Sequence, residues 1–393
     1  MAAEGLKRRL GLGLLTLYGI GVMIGAGIYV LIGAVAGEAG SYTPLAFILA
    51  GVIAAPTAVS YAELTSRLPQ SAGEAAYVSE ATGSHTLGAI LGFGVAMIGV
   101  ISAAAVLQGG VGYLMALIDA PRTVLIVAGG FTLAAIAIWG AVESLVFAAV
   151  MTVIEVVGLV IVIGAGVSVE AAPFTPPAGD LAPALAAGAL LAFFAFVGFE
   201  DMVNMAEETK EPEKTMPRAI LLAVVATTAI YVLVAYAALN AVNPGDLASS
   251  DRPLALVFET ATGRGAGFLA LIAVAAALNG ILAQIVMAAR VLYGLGRIAG
   301  PFAVFHKVHP KFGTPVLATT LAMSVAVILA LSAPISALAE ATSSLLLFVF
   351  IIVNGALIVL KLRNPISPGF RAPWAAPVLG VLFSAAALIA PLF

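Results

Sequence analysis

Charged and polar residues in this chain are gathered into short clusters, and long apolar stretches run between them. Eleven stretches stand out, at residues 12–36, 43–66, 86–118, 122–139, 144–168, 184–206, 218–240, 254–292, 314–332, 335–360 and 376–393. Each is close to or above the roughly 20 residues that a helix needs to cross the hydrocarbon core of a bilayer. The pattern predicts an all-α integral membrane protein with about eleven transmembrane helices. The stretches at 86–118 and 254–292 are overlong, so their helices must tilt or extend into the aqueous layers. Between spans lie short segments rich in Pro, Gly, Ser and Asp, such as AAPFTPPAGDLAP (171–183) and NPGDLASSDRP (243–253), which carry turn chemistry. No loop is large enough to fold alone, so residues 1–393 are read as one membrane domain.

Composition agrees and excludes several classes. Only 9% of the 393 residues are charged and 62% are apolar, against roughly 25% charged in soluble domains, and the mean hydropathy is +1.14. The chain has no cysteine, and its histidines, His85, His306 and His309, lack the spacing of a helical zinc site. Neither a metal nor a cofactor is expected. The few scattered basic residues give no nucleic-acid footprint. The apolar run from Leu10 to about Val35 is too long for a signal-peptide core of about 7–15 residues and reads as a retained first span. With the N-terminus in the cytoplasm, 14 of the 17 Lys and Arg residues face inward, leaving Arg122, Arg252 and Arg264 outside. This asymmetry fits a multi-pass cell-membrane protein with a cytoplasmic N-terminus.

One stretch breaks the pattern of a simple span. GIGVMIGAGIYV (19–30) places Gly19, Gly21, Gly25 and Gly27 inside a membrane helix. Close helix packing through small residues accounts for Gly21 and Gly25. The run Gly25–Ala26–Gly27 goes further, because three consecutive small residues remove the steric resistance to unwinding. Unwound backbone at membrane depth is tolerated only where protein buries it or where it lines a cavity. The sixth span, AGALLAFFAFVGFEDMVNMAEET, holds Gly198 in an aromatic cluster, followed at once by Glu200 and Asp201. These adjacent carboxyls are expected near the end of a broken half-helix, facing polar groups or a vestibule. The first and sixth spans are therefore read as discontinuous, as corresponding members of two inverted repeats would be.

Several segments together resemble one family. GIGVMIGAGIYVLIG (19–33), SYAELTSRLPQSAGEAAYV (60–78), FFAFVGFEDMVNMAEETKEPEKTMPRAI (193–220), AARVLYGLGRIAG (288–300) and HPKFGTPV (309–316) resemble, in order, signatures of the amino acid–polyamine–organocation superfamily of transporters. The resemblance implies a 5+5 inverted-repeat, LeuT-like fold, with repeats at about 12–168 and 184–360 and an additional helix at 376–393. It implies that a substrate carboxylate binds the unwound backbone at Gly25, Ala26 and Gly27. The substrate ammonium would meet carbonyls around Ile24 and around Phe194, Phe196 and Val197, beside Gly198. An aromatic at the position of Phe194 caps the substrate in many relatives, while plain packing is the competing role for these rings. Relatives commonly have twelve spans, one more than the candidates here.

The fifth span carries Glu155 near its middle, with no basic residue in the same span. An intramembrane charge is a functional hypothesis by default, and some proton-coupled relatives have a lysine in a similar stretch. Glu155 is read as a group that takes up and releases a proton. The alternatives are a structural hydrogen bond to a neighbouring helix or help in binding a cation. Ser102, Gln108, Asn279, Gln284, Ser343, Ser344 and Asn354 fit pocket lining or interhelical hydrogen bonds. Glu340 and Glu63 are expected toward span ends where water reaches them. No clustered catalytic groups or repeated pore rings are evident, which argues against an enzyme or a channel. The expected function is secondary active amino acid transport by alternating access, as proton-coupled uptake of neutral amino acids. Exchange, sodium coupling or a cationic substrate are the alternatives. The expected partners are an amino acid, protons or sodium, and the lipid bilayer.

Overall fold

The computed structural model describes residues 10–70, 73–139, 145–296, 300–364, 367 and 369–390. Lys7, Arg8, Arg9 and Arg297, which enter the charge asymmetry, lie outside the described residues. Among those described, the chain forms fifteen α-helices joined by turns and 3-10 segments, and no β-sheet. In order they are α1 Leu12–Ala26, α2 Ile28–Ala39, α3 Thr43–Arg67, α4 Gly73–Thr82, α5 His85–Leu114, α6 Arg122–Ile138, α7 Leu145–Val167 and α8 Leu181–Phe193. There follow α9 Pro212–Ala241, α10 Pro244–Ser249, α11 Pro253–Thr262, α12 Gly267–Leu295, α13 Val316–Ser332, α14 Ile335–Arg363 and α15 Ala375–Ile389.

Seven helical stretches among the described residues are long and apolar enough to cross a membrane, and four shorter apolar helices accompany them. Large side chains such as Ile90, Val225, Leu271 and Ile328 are turned outward and exposed. Such a surface suits lipid, where the bilayer supplies the apolar contact that water denies. The interior is filled by alanines, large aliphatic side chains and aromatic rings, among them Leu31, Ile32, Tyr61 and Phe350. α3 packs along α9, α5 along α12, and α6 against α13, while α1 runs between α7, α9 and α12.

The expected single span at 254–292 is two helices. α11 ends at Gly263, which takes a left-handed φ of +65° and donates its N–H to Glu259 O at 2.9 Å. Glycine carries no penalty in that conformation and so ends the helix. The sequence carried a signal there, the polar and glycine-rich stretch ETATGRGAG (259–267) with Glu259 and Arg264, which the reading of one long span passed over.

A buried ion cluster ties one end of the bundle together. Glu63 of α3 accepts from Lys361 Nζ of α14 at 2.5 Å and from Arg67 at 2.6 Å. It also accepts the Ala372 N–H at 2.9 Å, while Lys361 donates to Ala372 O at 2.8 Å and lies over the Trp374 ring. Glu63 was expected within reach of water; it is fully buried, because the segment leading to α15 folds across it. Nearby, Ser66 donates to Glu213 O and accepts the Phe370 N–H, and Leu10 pairs its backbone with Glu208 and Lys210. Removing one member of a buried pair leaves charge uncompensated, at a cost of about 3–5 kcal/mol when no partner remains. Lys361→Met is expected to lower the thermal unfolding midpoint of the purified protein clearly. The double variant Glu63→Gln/Lys361→Met should regain part of the loss.

Candidate functional site

The first helix breaks at one residue. α1 and α2 have 15 and 12 residues, so neither alone spans about 30 Å at 1.5 Å per residue, whereas together they do. At the joint, Gly27 has φ −131° and ψ −62°. Its N–H donates to Ile24 O at 3.2 Å, and its carbonyl accepts from Val30 and Leu31 at 3.1 and 2.9 Å. All four glycines of the stretch sit at close crossings. A Cβ on Gly19 would strike Met202, on Gly21 Thr152, and on Gly27 the backbone of Ala195. On Gly25 it would meet Ala276 O at 2.9 Å and Gly280 N at 3.3 Å. Packing thus involves every one of them, not just Gly21 and Gly25, while the break itself falls at Gly27.

The second interruption lies opposite. α8 ends at Phe193, a 3-10 turn covers Phe194–Phe196, and a second 3-10 segment runs over Glu200–Glu208. Between them Gly198 adopts φ +121°, where a side chain would be strained, and a Cβ there would also lie 2.5 Å from Val22. The freed backbone groups find partners. Tyr231 of α9 donates its hydroxyl to Ala195 O at 2.8 Å, the Gly198 N–H donates to Glu200 at 2.9 Å, and the Val197 N–H donates to Phe194 O at 3.1 Å. The two interruptions are therefore in contact, Gly27 on Ala195 and Val22 on Gly198. Ile24, Gly25, Gly27, Phe194, Phe196, Val197 and Gly198 are all buried at this crossing; the Ala26 side chain lies outside what is described. The Phe196 ring packs edge-on against Tyr231.

Glu155 stands beside the first break. It is 1% exposed, and its backbone carbonyl accepts the hydroxyl of Tyr29, two residues past Gly27, at 2.8 Å. Thr152, one turn earlier on α7, touches Gly21. Carboxyl Oε1 of Glu155 accepts from Asn279 Nδ2 of α12 at 3.3 Å, while Oε2 is buried with no partner. Asn279 lies between Ala276 and Gly280, the two residues on which Gly25 rests. The break, the acid and the amide are thus three sides of one crossing.

Glu200 and Asp201 were expected at the end of the half-helix, facing polar groups or a vestibule. They are buried and face polar groups, and Glu74 of α4 is buried with them. Gln284 Nε2 of α12 donates to Asp201 at 3.0 Å, and the Tyr61 hydroxyl donates to Glu74 at 3.0 Å. Burial pushes the Glu74 carboxyl up from 4.5 to about 7, opposed by its hydrogen bonds. Tyr29, Tyr61, Tyr231 and Glu74 were missed in the sequence: the tyrosines stand in apolar spans where such rings also simply pack, and Glu74 stands in the polar stretch QSAGEAAYVSE (70–80), which reads as a loop. Of the polar residues expected in pocket or packing roles, Gln108 binds the carbonyls of Ala330 and Ala333, and Asn354 binds Thr57 and Phe350 O, both as interhelical or intrahelical ties. Ser102 and Ser343 are buried with unpartnered hydroxyls. Among the described residues no group of His, Asp or Glu is arranged to hold a metal ion.

Paired interrupted helices inside a multi-helix apolar bundle define a polytopic membrane protein of the transporter class. The chain belongs to the amino acid permease family, which it matches over residues 10–393. It is 30% identical to the branched-chain amino acid permease BcaP of Bacillus subtilis (strain 168), covering 97% of this chain and 87% of that protein. It is 30% identical to the chloroplastic cationic amino acid transporter 9 of Arabidopsis thaliana, covering 79% and 58%. With the methylthioribose transporter of Bacillus subtilis (strain 168) the identity is also 30%, covering 88% and 79%. The molecule is a multi-pass membrane protein of amino acid transport and not an enzyme.

Two measurements test this geometry. Gly27→Ala is expected to destabilise the protein by about 1–3 kcal/mol, because the Ala195 backbone cannot move aside cheaply. Gly13→Ala, whose Cβ meets open space, should be neutral or stabilising by about 0.5–1 kcal/mol. Thermal melts of both variants read the contrast. For Glu74, the raised carboxyl favours the folded state at low pH, and that contribution is lost as pH rises through about 7. Glu74→Gln should therefore stabilise the protein at pH 8, by up to about 3 kcal/mol. The advantage over the parent should shrink toward pH 5.

Proposed function

We propose that this chain is a secondary active transporter of neutral amino acids, driven by protons and working by alternating access. The observation that carries the reading is the contact between the two interrupted helices, with Glu155 at its side. The opening turn of α2 offers the positive end of a helix dipole to a carboxylate, together with the backbone at Gly25, Ala26 and Gly27. The closing turns of α1 and α8, at Ile24 and at Phe194, Phe196 and Val197, offer carbonyls to the ammonium, and Phe194 closes over it beside Gly198. Spans α5 and α12 carry no acid or base at mid-depth, which favours a neutral side chain; one relative is named for branched-chain amino acids.

The reading extends to architecture. Helix pairs that lie five spans apart pack together: α3 with α9, α5 with α12, α6 with α13, and the first interruption with the second. This supports two inverted repeats, at about 12–168 and 184–360, in a LeuT-like 5+5 fold with α15 outside them. The N-terminus lies in the cytoplasm and the protein in the cell membrane, as the distribution of basic residues favours.

Glu155 is the coupling residue. Its unpartnered Oε2 is a place for a proton, and movement of α7 against α12 would change the Asn279 contact on which its charge depends. In liposomes holding the purified protein, an inside-alkaline gradient of one pH unit should drive about tenfold accumulation for one proton per substrate. A protonophore should collapse it. Glu155→Gln should bring the accumulation ratio to about one while sparing exchange of labelled for unlabelled substrate. Uptake only into preloaded liposomes, indifferent to pH, would make the protein an exchanger and return Glu155 to a structural role.

A further inference from the structure

Glu155 is not the only buried carboxyl that meets a carboxamide of α12. Five residues further along that helix, roughly 7.5 Å by its rise, Gln284 donates Nε2 to Oδ2 of Asp201. Gln284 is wholly buried, and its Oε1 has no hydrogen-bond partner. It faces Gly99 of α5, which has no side chain to offer. An amide with its donor used and its acceptor orphaned is an unfinished arrangement inside a protein.

A proton completes it. We infer that Asp201 and Gln284 form a second proton-binding site, in which a protonated Asp201 and the Gln284 amide close a reciprocal pair. The amide N–H donates to the acid carbonyl and the acid O–H donates to the orphaned Oε1. Turning the amide about its axis does not remove the requirement, because Oε1 would then face Asp201 and need the same O–H.

Further carboxyls surround the pair. Glu200 is adjacent in the chain, with its carboxylate on the Gly198 N–H. Glu74 of α4 is within electrostatic reach of Asp201 and carries the Tyr61 hydroxyl of α3. Tyr18 of α1 also senses Asp201, and Arg290 of α12 and Glu208 act on that same hydroxyl. Among the described residues none of Glu74, Glu200 and Asp201 is ion-paired with a lysine or arginine. Like charges gathered in a buried cluster repel one another, and a proton on one of them relieves the repulsion.

The site has a defined mechanical meaning. Asp201 lies on the half-helix that follows the second interruption, and Gln284 lies on α12, the helix that also holds Asn279 against Glu155. Loading Asp201 docks that half-helix on α12 through two hydrogen bonds; unloading it leaves one and orphans Oε1. α12 thus contacts a proton site on each of two neighbouring elements. The inference rests on the proton-coupled reading only for its place in the transport cycle, not for the binding of the proton.

Infrared spectroscopy of the full-length protein in lipid nanodiscs tests it, through the carbonyl stretch of protonated carboxyls during a pH titration in H2O and D2O. Asp201→Asn should remove one titrating component and leave the one removed by Glu155→Gln. Gln284→Leu should keep the Asp201 component but shift its frequency and titration midpoint, because the reciprocal pair is gone. A protonated-carboxyl spectrum in Asp201→Asn identical to that of the parent would overturn the inference. If that variant does not fold, an unshifted spectrum in Gln284→Leu would overturn it equally. Uptake indifferent to pH in liposomes would instead sink proton coupling, and the infrared result would stand apart from it.

Discussion

A helix interrupted at membrane depth exposes amides and carbonyls that lipid cannot satisfy, and each such group left bare costs several kcal/mol. Everything central in this molecule follows from how that cost is avoided. The two interruptions are stacked on each other so tightly that Gly27 and Gly198 admit no side chain against Ala195 and Val22. The exposed groups then find local partners: the Tyr231 hydroxyl for Ala195 O, and the Glu200 carboxylate for the Gly198 N–H. Glycine is demanded by contact, and the unwound geometry is held from outside by the helices around it.

The buried charges fall into two kinds, distinguished by their partners. Glu63 meets two cations and a backbone amide, an arrangement complete in its charged form that joins α3, α14 and the segment before α15. Among the described residues, the side-chain partners of Glu155, Asp201 and Glu74 are an amide or a hydroxyl. The first kind suits a fixed strut, since parting the charges exposes each to an apolar interior. The second kind suits a group whose charge changes, because an amide accommodates either protonation state at modest cost. The division follows the geometry: the strut lies at one end of the bundle, and two of the amide-paired acids lie on elements that flank the interruptions.

Much of the fold was legible in the sequence, and the reason is local. The length of an apolar run, the clustering of polar residues into turns and the run of small residues at Gly25–Gly27 are properties of neighbouring positions, and they delimit helices and mark where one can break. The division between α11 and α12 at Gly263 was marked locally by ETATGRGAG (259–267), and was overlooked because apolar residues on both sides make one long stretch. The same local character set the limits. Glu63 looked like a span-end carboxyl open to water, yet chain from a distant part of the sequence covers it, and nothing local told which polar groups Glu200 and Asp201 would face.

For the candidate site, the sequence by itself determined which residue types stand at the two interruptions and that a carboxyl lies near mid-depth in the fifth span. Only the tertiary structure decided what those residues meet. Glu155 and Asn279 are 124 positions apart, Asp201 and Gln284 are 83 apart, and Glu63 and Lys361 are 298 apart. No periodicity within one helix encodes such pairs. They arise from the depth and rotation at which helices cross, and those are set by side-chain packing over the whole bundle.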